Sequence, residues 1–421
     1  MMEALAAAVR SNDVERVRRV LSEHPELNAR LDEALPGDAF GATPLLCAVH
    51  QGNRELVDLL LQTGADINVR SHWWAGGFGV LDHDGDLAPF LIERGAVVDA
   101  HAAARLGMLD RLRALIGADP AVLHARGGDG QTPLHFAKNI AVAELLLAHG
   151  ADLDARDVDH ESTPAQWMIR DRQEVVRYLI SRGCRTDLLM AAALGDLALV
   201  RKHLDADPAG IRMSVSDEWF PRENPQSAGT IYNWTLYRDM TAPFIARKLG
   251  HEEVYQYLME RTPEPLQLAV ACEVGEASRV RNLLARRPDL AASLSHTEQR
   301  KLPDAARDDN PAAVRLMLDA GWPVDARGQE GGTALHWAAW RGDADMVCEL
   351  LSRGAPVDDR NNNYKSTALR WASYASVHGW HPDRGDYPGT VEALLKAGAK
   401  PPAASEEFVA SDAVRAVLRT R

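Results

Sequence analysis

The sequence predicts an all-α solenoid of about twelve helix-turn-helix repeats with finger-like loops and three long insertions. One frame recurs along the 421 residues at a regular distance: 33 residues separate Gly150 from Gly183 and Gly321 from Gly354. Dividing the chain length by a period of about 34 residues gives the number of repeats. The clearest copies are ATPLLCAVHQGNRELVDLLLQTGADIN at 42–68, QTPLHFAKNIAVAELLLAHGADLD at 131–154 and GTALHWAAWRGDADMVCELLSRGAPVD at 332–358.

The first helix of a full repeat is predicted to begin at a threonine–proline pair. The threonine side chain caps the helix, and proline fits the first turn because its missing N–H would have no partner there. Ala and Leu at three- and four-residue spacing then give two short helices with apolar faces. A glycine ends the second helix, where a left-handed residue is needed. The pairs are Thr43–Pro44, Thr132–Pro133 and Thr163–Pro164, and the glycines are Gly64, Gly95, Gly150, Gly183, Gly321, Gly354 and Gly398.

A second kind of repeat alternates with the first. In this kind, a proline follows the second helix in place of the glycine. One helix pair cannot bury its apolar face alone, so stacked neighbours supply the core. We therefore expect a single continuous array over residues 1–421, with 1–31 as the N-terminal capping repeat and 401–421 as the C-terminal capping segment. The alternating copies span 5–30, 103–126, 190–212 and 268–292.

The frame resembles the ankyrin repeat family, in particular bacterial-type multi-repeat ankyrin proteins. The T-P-L-H-x-A signature, the period and the ending LL-x-x-GA-x-x-(N/D) agree in several copies, and the resemblance covers nearly the whole chain. It implies that His135 and His336 are structural residues that bond neighbouring turns. It also implies a non-catalytic interaction scaffold, which binds a partner protein through a concave groove and aromatic-rich insertion loops.

Three segments that break the period hold much of the aromatic surplus of a chain with 10 Trp, 8 Tyr and 7 Phe. Segments 71–86 and 211–240 follow a second helix and are expected on the finger side, whereas segment 375–390 joins two helices of one repeat and is expected at the opposite edge. Such aromatic side chains either anchor a partner or pin the loop to the repeats. The candidate partner-binding residues are Trp73, Trp74, Phe78, His83, Trp219, Phe220, Tyr232, Trp234 and Tyr237.

Three further tryptophans, Trp167, Trp337 and Trp371, lie on predicted first helices. They are expected in the core, with the inner groove as the alternative position. No partner contact is assigned to them.

Three clusters carry residue types that bind metal ions, although no cofactor is expected. The acidic spacing of segment 82–93 matches a calcium loop, but Leu87 stands where the sharp turn needs glycine. The turn DVDHE at 157–161 is either a finger tip or a metal or substrate site, and segment 375–390 offers a further divalent site. The metal candidates are Asp82, Asp84, Asp157, Asp159, His160, Glu161, His378 and His381.

An enzyme, or a receptor for a small ligand or a metal, is the alternative function. In that hypothesis segments 71–86 and 211–240 fold over the groove and enclose a pocket, because long ordered loops are usually functional. The sequence contains no GxSxG, HExxH or Walker-type motif, and the glycines of 127–130 have the pattern of a turn without a basic anchor. These absences favour the non-enzymatic interpretation.

Composition limits the partners that the chain is expected to bind. The 47 basic and 60 acidic residues give a net charge of −13, which argues against nucleic acid and anionic lipid and favours a basic or mixed protein surface. No apolar run reaches the roughly 18 residues of a membrane span. Four scattered cysteines fit a reducing compartment, so we expect a cytoplasmic protein, and the capping ends predict a monomer.

Overall fold

The computed structural model describes residues 1–83, 86–401 and 408–419. Those residues form helices, turns and one isolated bridge between Ser214 and Thr241, and they contain no β-strand. The prediction of an all-α repeat fold is therefore confirmed. None of the described helices is long and apolar enough to cross a bilayer. The chain divides into two compact units, Met1–Ile245 and Ala246–Arg421.

The first unit consists of short helices joined by turns and loops. Its α-helices are α1 (Met2–Arg10), α2 (Val14–Glu23), α3 (Pro44–His50), α4 (Arg54–Thr63), α5 (Ala88–Glu93), α6 (Ala100–Leu106), α7 (Leu109–Ala118), α8 (Ile140–Ala148), α9 (Pro164–Met168), α10 (Gln173–Ser181), α11 (Leu188–Leu194) and α12 (Leu197–Ala206). Its 3₁₀ turns are Pro25–Arg30, Pro120–His124, Gly128–Gly130, Pro133–Phe136 and Pro208–Arg212, and Asn233–Tyr237 is a π-helical turn.

Helix α13 (Ala242–Lys248) crosses the boundary between the units in sequence. The second unit continues with α14 (Glu252–Arg261), α15 (Glu264–Glu273), α16 (Ala277–Arg286), α17 (His296–Gln299), α18 (Lys301–Arg307), α19 (Pro311–Asp319), α20 (Ala334–Arg341), α21 (Ala344–Ser352), α22 (Ala368–His378), α23 (Tyr387–Lys396) and α24 (Asp412–Arg419). Its 3₁₀ turns are Leu290–Ser293 and Gln329–Gly331.

Helix ends follow the predicted capping chemistry. The Thr43 hydroxyl accepts from the Leu46 N–H, and the Thr163 hydroxyl accepts from the Gln166 N–H. Gly64 closes α4 with φ of 114°, a left-handed conformation that a side chain would strain.

The two histidines of the T-P-L-H frame have the structural role that the resemblance implies. His135 is buried, its Nδ1 accepts from the Thr132 N–H at 3.1 Å, and its Nε2–H donates to the Ser162 carbonyl at 3.1 Å. His336 repeats this pattern with Thr333 and Ser366. Burial lowers the pKa of His135 to about 3, so its ring is neutral near pH 7. The neutral ring links the start of its own helix, at Thr132, to Ser162 of the next repeat.

Segment 71–86 replaces a helix instead of being added to a complete repeat, which corrects the expectation of an insertion there. Only 31 residues separate Gly64 from Gly95, fewer than in a full repeat. The helix before Gly95, α5, is the second helix of its repeat, and the loop occupies the sequence position of the first. Its backbone packs against the neighbouring finger, where a Cβ on Gly76 would meet the Gly127 carbonyl.

The other two predicted insertions differ from each other. Residues 213–240 are added between the 3₁₀ turn Pro208–Arg212 and α13, and the Ala228 N–H within them donates to the Asp159 carbonyl. Segment 375–390 is helical at both ends, because α22 continues to His378 and α23 begins at Tyr387. At the C-terminus, α24 buries Val414, whereas 402–407 and 420–421 of the predicted capping segment lie outside the described residues.

Candidate functional site

The second unit contains a pocket walled by four tryptophans and a tyrosine, which we call the aromatic pocket: Trp337, Trp340, Trp371, Tyr374 and Trp380. Two residues come from α20 and two from α22, in each case three positions apart, so each pair lies on one helix face. The fifth residue, Trp380, lies in the loop between α22 and α23.

The rings of the aromatic pocket pack at favourable angles around a cavity of about 690 Å³. Trp380 stacks on Trp337 with centroids 5.7 Å apart, and Trp371 meets Trp337 edge-on at 5.1 Å. Trp337 and Trp371 are buried, whereas Trp380 is 51% exposed at the mouth. A cavity of this size is within the range of ligand-binding pockets.

Two hydrogen-bond donors of the pocket residues have no partner within the described part of the chain. The indole N–H groups of Trp337 and Trp340 are buried and make no hydrogen bond with any residue that the structure describes. An unpaired buried donor costs about 1–3 kcal/mol. Because both nitrogens are inaccessible, a ligand in the cavity does not reach them unless the rings move. Glu330 and Arg370, which also line the cavity, give it one charge of each sign.

The expectation that Trp337 and Trp371 are core residues is confirmed by their burial, while Trp167 is half-buried. The pocket itself was missed, because its walls are distant in sequence. A signal was nevertheless present: Trp371 follows Trp337 by 34 residues, and Tyr374 follows Trp340 by the same distance. Aromatic residues one period apart lie side by side when repeats stack.

The first unit holds a second site, the finger cluster, which consists of Asp129, Asp159 and His160. All three side chains are buried, and each offers a ligand atom within 4.8 Å of the others. Asp129 lies in the turn of one finger with φ of 54°, and its carboxylate accepts from the Trp73 indole N–H at 2.9 Å. Its carbonyl accepts from the Val158 and Asp159 N–H groups, which joins adjacent fingers.

The DVDHE turn positions the other two members. The Asp157 carboxylate accepts from the backbone N–H groups of His160 and Ser162, both at 2.7 Å, and therefore shapes the turn. His160 Nδ1 lies 3.0 Å from the Gly229 carbonyl of the second insertion, and its Nε2 lies 3.5 Å from Asp159 Oδ2.

Glu161, the fourth candidate of this turn, points elsewhere. Its carboxylate accepts from the backbone N–H groups of Glu223 and Asn224 and pairs with Arg156 at 3.0 Å. It fastens the second insertion to the finger and takes no part in the cluster.

The finger cluster concentrates negative charge away from water. Burial raises the pKa of Asp129 to about 6, with the charges of Asp159 and Asp157 acting in the same direction and His160 and the Trp73 hydrogen bond acting to lower it. Burial also raises the pKa of Asp157. Among the described residues, no lysine or arginine forms an ion pair with these three carboxylates.

Among the residues that the structure describes, the remaining metal candidates join no group of three possible ligands. Asp82 is buried and pairs with Arg70 at 2.7 Å, so its charge is already compensated. Asp84 lies outside the described residues. His378 and His381 are exposed, and the finger cluster is the only three-residue metal-type group found in the described parts of the chain.

Most of the predicted partner-binding aromatics pin their loops. Phe78 and Tyr232 are buried, so the expectation that they contact a partner is corrected. Trp73 is half-buried with its ring 4.8 Å from that of Phe40. Trp219 and Phe220 are also half-buried, and the exposed members are Trp74, His83, Trp234 and Tyr237.

Comparison with known proteins identifies one family. Three stretches, 2–71, 100–189 and 302–404, match the family model described as ankyrin repeats in three copies. The chain is 25% identical over 391 residues to the ankyrin repeat domain-containing protein SAT10 of Stachybotrys chartarum, covering 86% of this chain and 18% of that protein.

Shorter stretches are similar to two animal proteins. The chain is 34% identical over 90 residues to the palmitoyltransferase Hip14 of Drosophila melanogaster, covering 21% of this chain and 13% of that protein. It is 33% identical over 163 residues to the human B-cell lymphoma 3 protein, covering 34% and 36% of the two chains. The chain thus spans only a minor part of each of these relatives.

Proposed function

The chain belongs to the ankyrin repeat family, and from that premise we propose that it binds a partner protein through the aromatic pocket of its second unit. Ankyrin repeats are general protein–protein interaction domains, so the family supports a protein ligand. The observation that carries the proposal is a cavity of about 690 Å³ walled by aromatic rings, of which Tyr374 is 47% exposed and Trp380 is 51% exposed.

The chemistry of the pocket favours an extended segment of the partner. Such a segment can place a charged side chain beside Glu330 or Arg370, which line the cavity. An aromatic or large aliphatic side chain of the segment would pack on the exposed Tyr374 and Trp380 rings, because aromatic walls give most binding energy to apolar anchors. The net charge of −13 favours a partner whose surrounding surface is basic.

Exposed aromatic residues of the first unit supply a further contact surface in this proposal. Trp74 is 39% exposed, Trp234 is 51% exposed and Tyr237 is 44% exposed. They are the members of the predicted partner-binding set, with His83, that a second protein can reach. Their neighbours Trp73 and Tyr232 fix the two loops to the repeats through hydrogen bonds to Asp129 and Asp187.

The unpaired state of all four cysteines, Cys47, Cys184, Cys272 and Cys348, supports a reducing compartment. We propose that the protein acts as a monomer in the cytoplasm. Size-exclusion chromatography with light scattering tests the monomer, and fluorescence microscopy of the tagged chain tests the location.

A receptor for a small aromatic ligand is the second candidate function. The cavity volume of about 690 Å³ would hold such a molecule, and its ring would pack on the exposed Trp380 ring. This candidate differs from the enclosed pocket expected from segments 71–86 and 211–240, because the aromatic pocket is built from neither.

Affinity capture with the full chain as bait tests the proposal. The Trp380→Ala variant removes the exposed wall, and Trp340→Phe keeps an aromatic ring while it removes one indole donor. Trp322→Phe is the matched control, because Trp322 is buried in the same unit but already donates its N–H to the Glu298 carbonyl.

A protein that is enriched by the wild type and by Trp322→Phe, and lost with Trp380→Ala, supports the proposal. A small molecule that is retained in place of a protein supports the receptor. Equal capture of the same proteins by all four baits contradicts a role for the pocket.

A further inference from the structure

We infer that Asp129, Asp159 and His160 bind one divalent transition-metal ion of the zinc type, at the point where both aromatic loops of the first unit meet. This site is independent of the proposed partner-binding pocket, which lies in the second unit.

The hydrogen bonding of His160 fixes which ring nitrogen is available. A carbonyl oxygen can only accept, so Nδ1, 3.0 Å from the Gly229 carbonyl, carries the proton. Nε2 then presents its lone pair to Asp159 Oδ2, 3.5 Å away, in the neutral ring. Two acceptors that face each other repel unless a positive species lies between or beside them. A proton or a metal ion satisfies this requirement.

Asp159 provides an independent observation. Its side chain is only 6% exposed and is directed at the cluster, yet its carboxylate accepts no hydrogen bond from the residues that the structure describes. A buried carboxylate without donors is costly, and buried charges are normally paired or coordinate metals. Its neighbour Asp157 shows the contrast, because two backbone N–H groups satisfy that carboxylate.

The distances suit a single small ion. Two ligands about 2.0–2.1 Å from a tetrahedral zinc ion lie about 3.4 Å apart. The separation of His160 Nε2 and Asp159 Oδ2 is 3.5 Å, and the ligand atom of Asp129 completes a group that spans no more than 4.8 Å. Three protein ligands leave one position of a tetrahedral ion for water.

The surroundings orient each ligand as metal sites require. Trp73 donates to Asp129 at 2.9 Å, and Gly229 accepts from His160. Histidine ligands usually donate their second N–H in this way, which fixes the tautomer. The same contacts connect the loop 71–86 and the insertion 213–240 to the cluster, so one ion would tie both to adjacent fingers.

The donor set selects the class of ion. One imidazole with two carboxylates suits zinc and its neighbours in the first transition series. Calcium and magnesium prefer sites made of oxygen ligands alone, and calcium needs six to eight of them.

Zinc titration of the chelator-stripped full chain tests the inference. Isothermal calorimetry measures the stoichiometry, and thermal unfolding with and without Zn²⁺ shows whether the folded state binds. The exposed Cys348 is replaced by serine in every sample, because a free thiolate also binds zinc. Co²⁺ is the second probe, since its visible absorption reports four-coordinate geometry.

We expect one equivalent of Zn²⁺ and a higher melting temperature in its presence. Asp159→Asn and His160→Gln should each weaken binding by more than about tenfold, because loss of even an outer ligand contact has an effect of this size. Glu223→Gln is the matched control: it removes a nearby exposed carboxylate of the same insertion that pairs with Arg156 and not with the cluster.

Failure of the wild-type chain to bind Zn²⁺ or Co²⁺ would overturn the inference, as would equal binding by Asp159→Asn in a sample whose circular dichroism matches the wild type. Binding without any change in melting temperature would also overturn it, because the ion would then have no preference for the folded cluster.

Discussion

The indole N–H of Trp73 donates a 2.9 Å hydrogen bond to the carboxylate of Asp129, 56 residues further along the chain. This bond joins the loop that replaces a helix to the finger of a later repeat. It also explains why tryptophan stands in a segment where the sequence suggests an exposed anchor. Trp73 therefore contacts another residue of the first unit, whereas Trp74 beside it is 39% exposed.

Trp73→Phe should lower the free energy of unfolding of the first unit by about 1–3 kcal/mol, because it leaves a buried carboxylate without its donor. Trp74→Phe, which changes an exposed ring, should stay within about 0.5 kcal/mol of the wild type. Urea unfolding in chelating buffer measures both. Equal stability of the two variants would show that the hydrogen bond contributes nothing.

Tyr232 holds the second insertion in the same manner. Its buried ring carries a hydroxyl that donates to Asp187 Oδ2 at 2.9 Å, and burial together with this carboxylate raises its pKa well above the usual value. Tyr232→Phe should destabilise the first unit by about 1 kcal/mol. Tyr237→Phe, an exposed change in the same insertion, should have no measurable effect in the same unfolding experiment.

His135 should make the first unit sensitive to acid. Its pKa is about 3 in the folded chain and 6.5 when unfolded, so below pH 6.5 the unfolded state binds a proton that the folded state does not. The stability is complete above pH 6.5 and falls as the pH decreases toward 3. Between pH 7 and pH 5 this single group should remove about 2 kcal/mol.

The difference in unfolding free energy between pH 7 and pH 5 measures this contribution. His135→Gln should be less stable at pH 7 but should show a smaller loss on going to pH 5. An unchanged pH dependence in that variant would assign the acid sensitivity to other groups.

A buried ion pair in the second unit offers a fourth prediction. Lys301 Nζ lies 3.0 Å from Glu273 Oε1, and both side chains are nearly inaccessible. Burial raises the pKa of Glu273 even though Lys301 acts to lower it. Lys301→Met should therefore cost about 3–5 kcal/mol, because it leaves an uncompensated carboxyl group in the core.

The double variant Lys301→Met with Glu273→Met is the control for that experiment. Replacing both charges with apolar side chains of similar size should recover most of the lost stability. A double variant as unstable as the single one would indicate that packing, and not the isolated charge, causes the loss.

The sequence predicted the repeat fold well because each repeat carries its own signals. Threonine caps, proline in the first turn and glycine after the second helix act locally, and the structure has them where the frame puts them, as at Thr43 and Gly64. Segment 71–86 was expected to interrupt the period as an insertion, whereas only 31 residues separate Gly64 from Gly95 and the loop stands in the place of a first helix.

The finger cluster was predicted only in part, for a physical reason. Asp159 and His160 were candidates, but Asp129 belongs to another turn and joins them through stacking of the fingers. The available signal was the sequence separation of about one repeat between Asp129 and the pair Asp159 and His160. Asp157 and Glu161 were candidates too, yet backbone N–H groups bind their carboxylates. Residue type alone cannot distinguish a turn-forming aspartate from a ligand.

Site-specific photo-crosslinking is the most direct test of the central claim that the aromatic pocket binds a partner protein. A photoreactive phenylalanine analogue replaces Tyr374, a pocket wall that is 47% exposed, and in a second sample replaces Tyr257 on α14, which lies outside the pocket. We expect a crosslinked partner peptide at position 374 and none at position 257. Crosslinks at both positions alike, or at neither while the partner is bound, would contradict it.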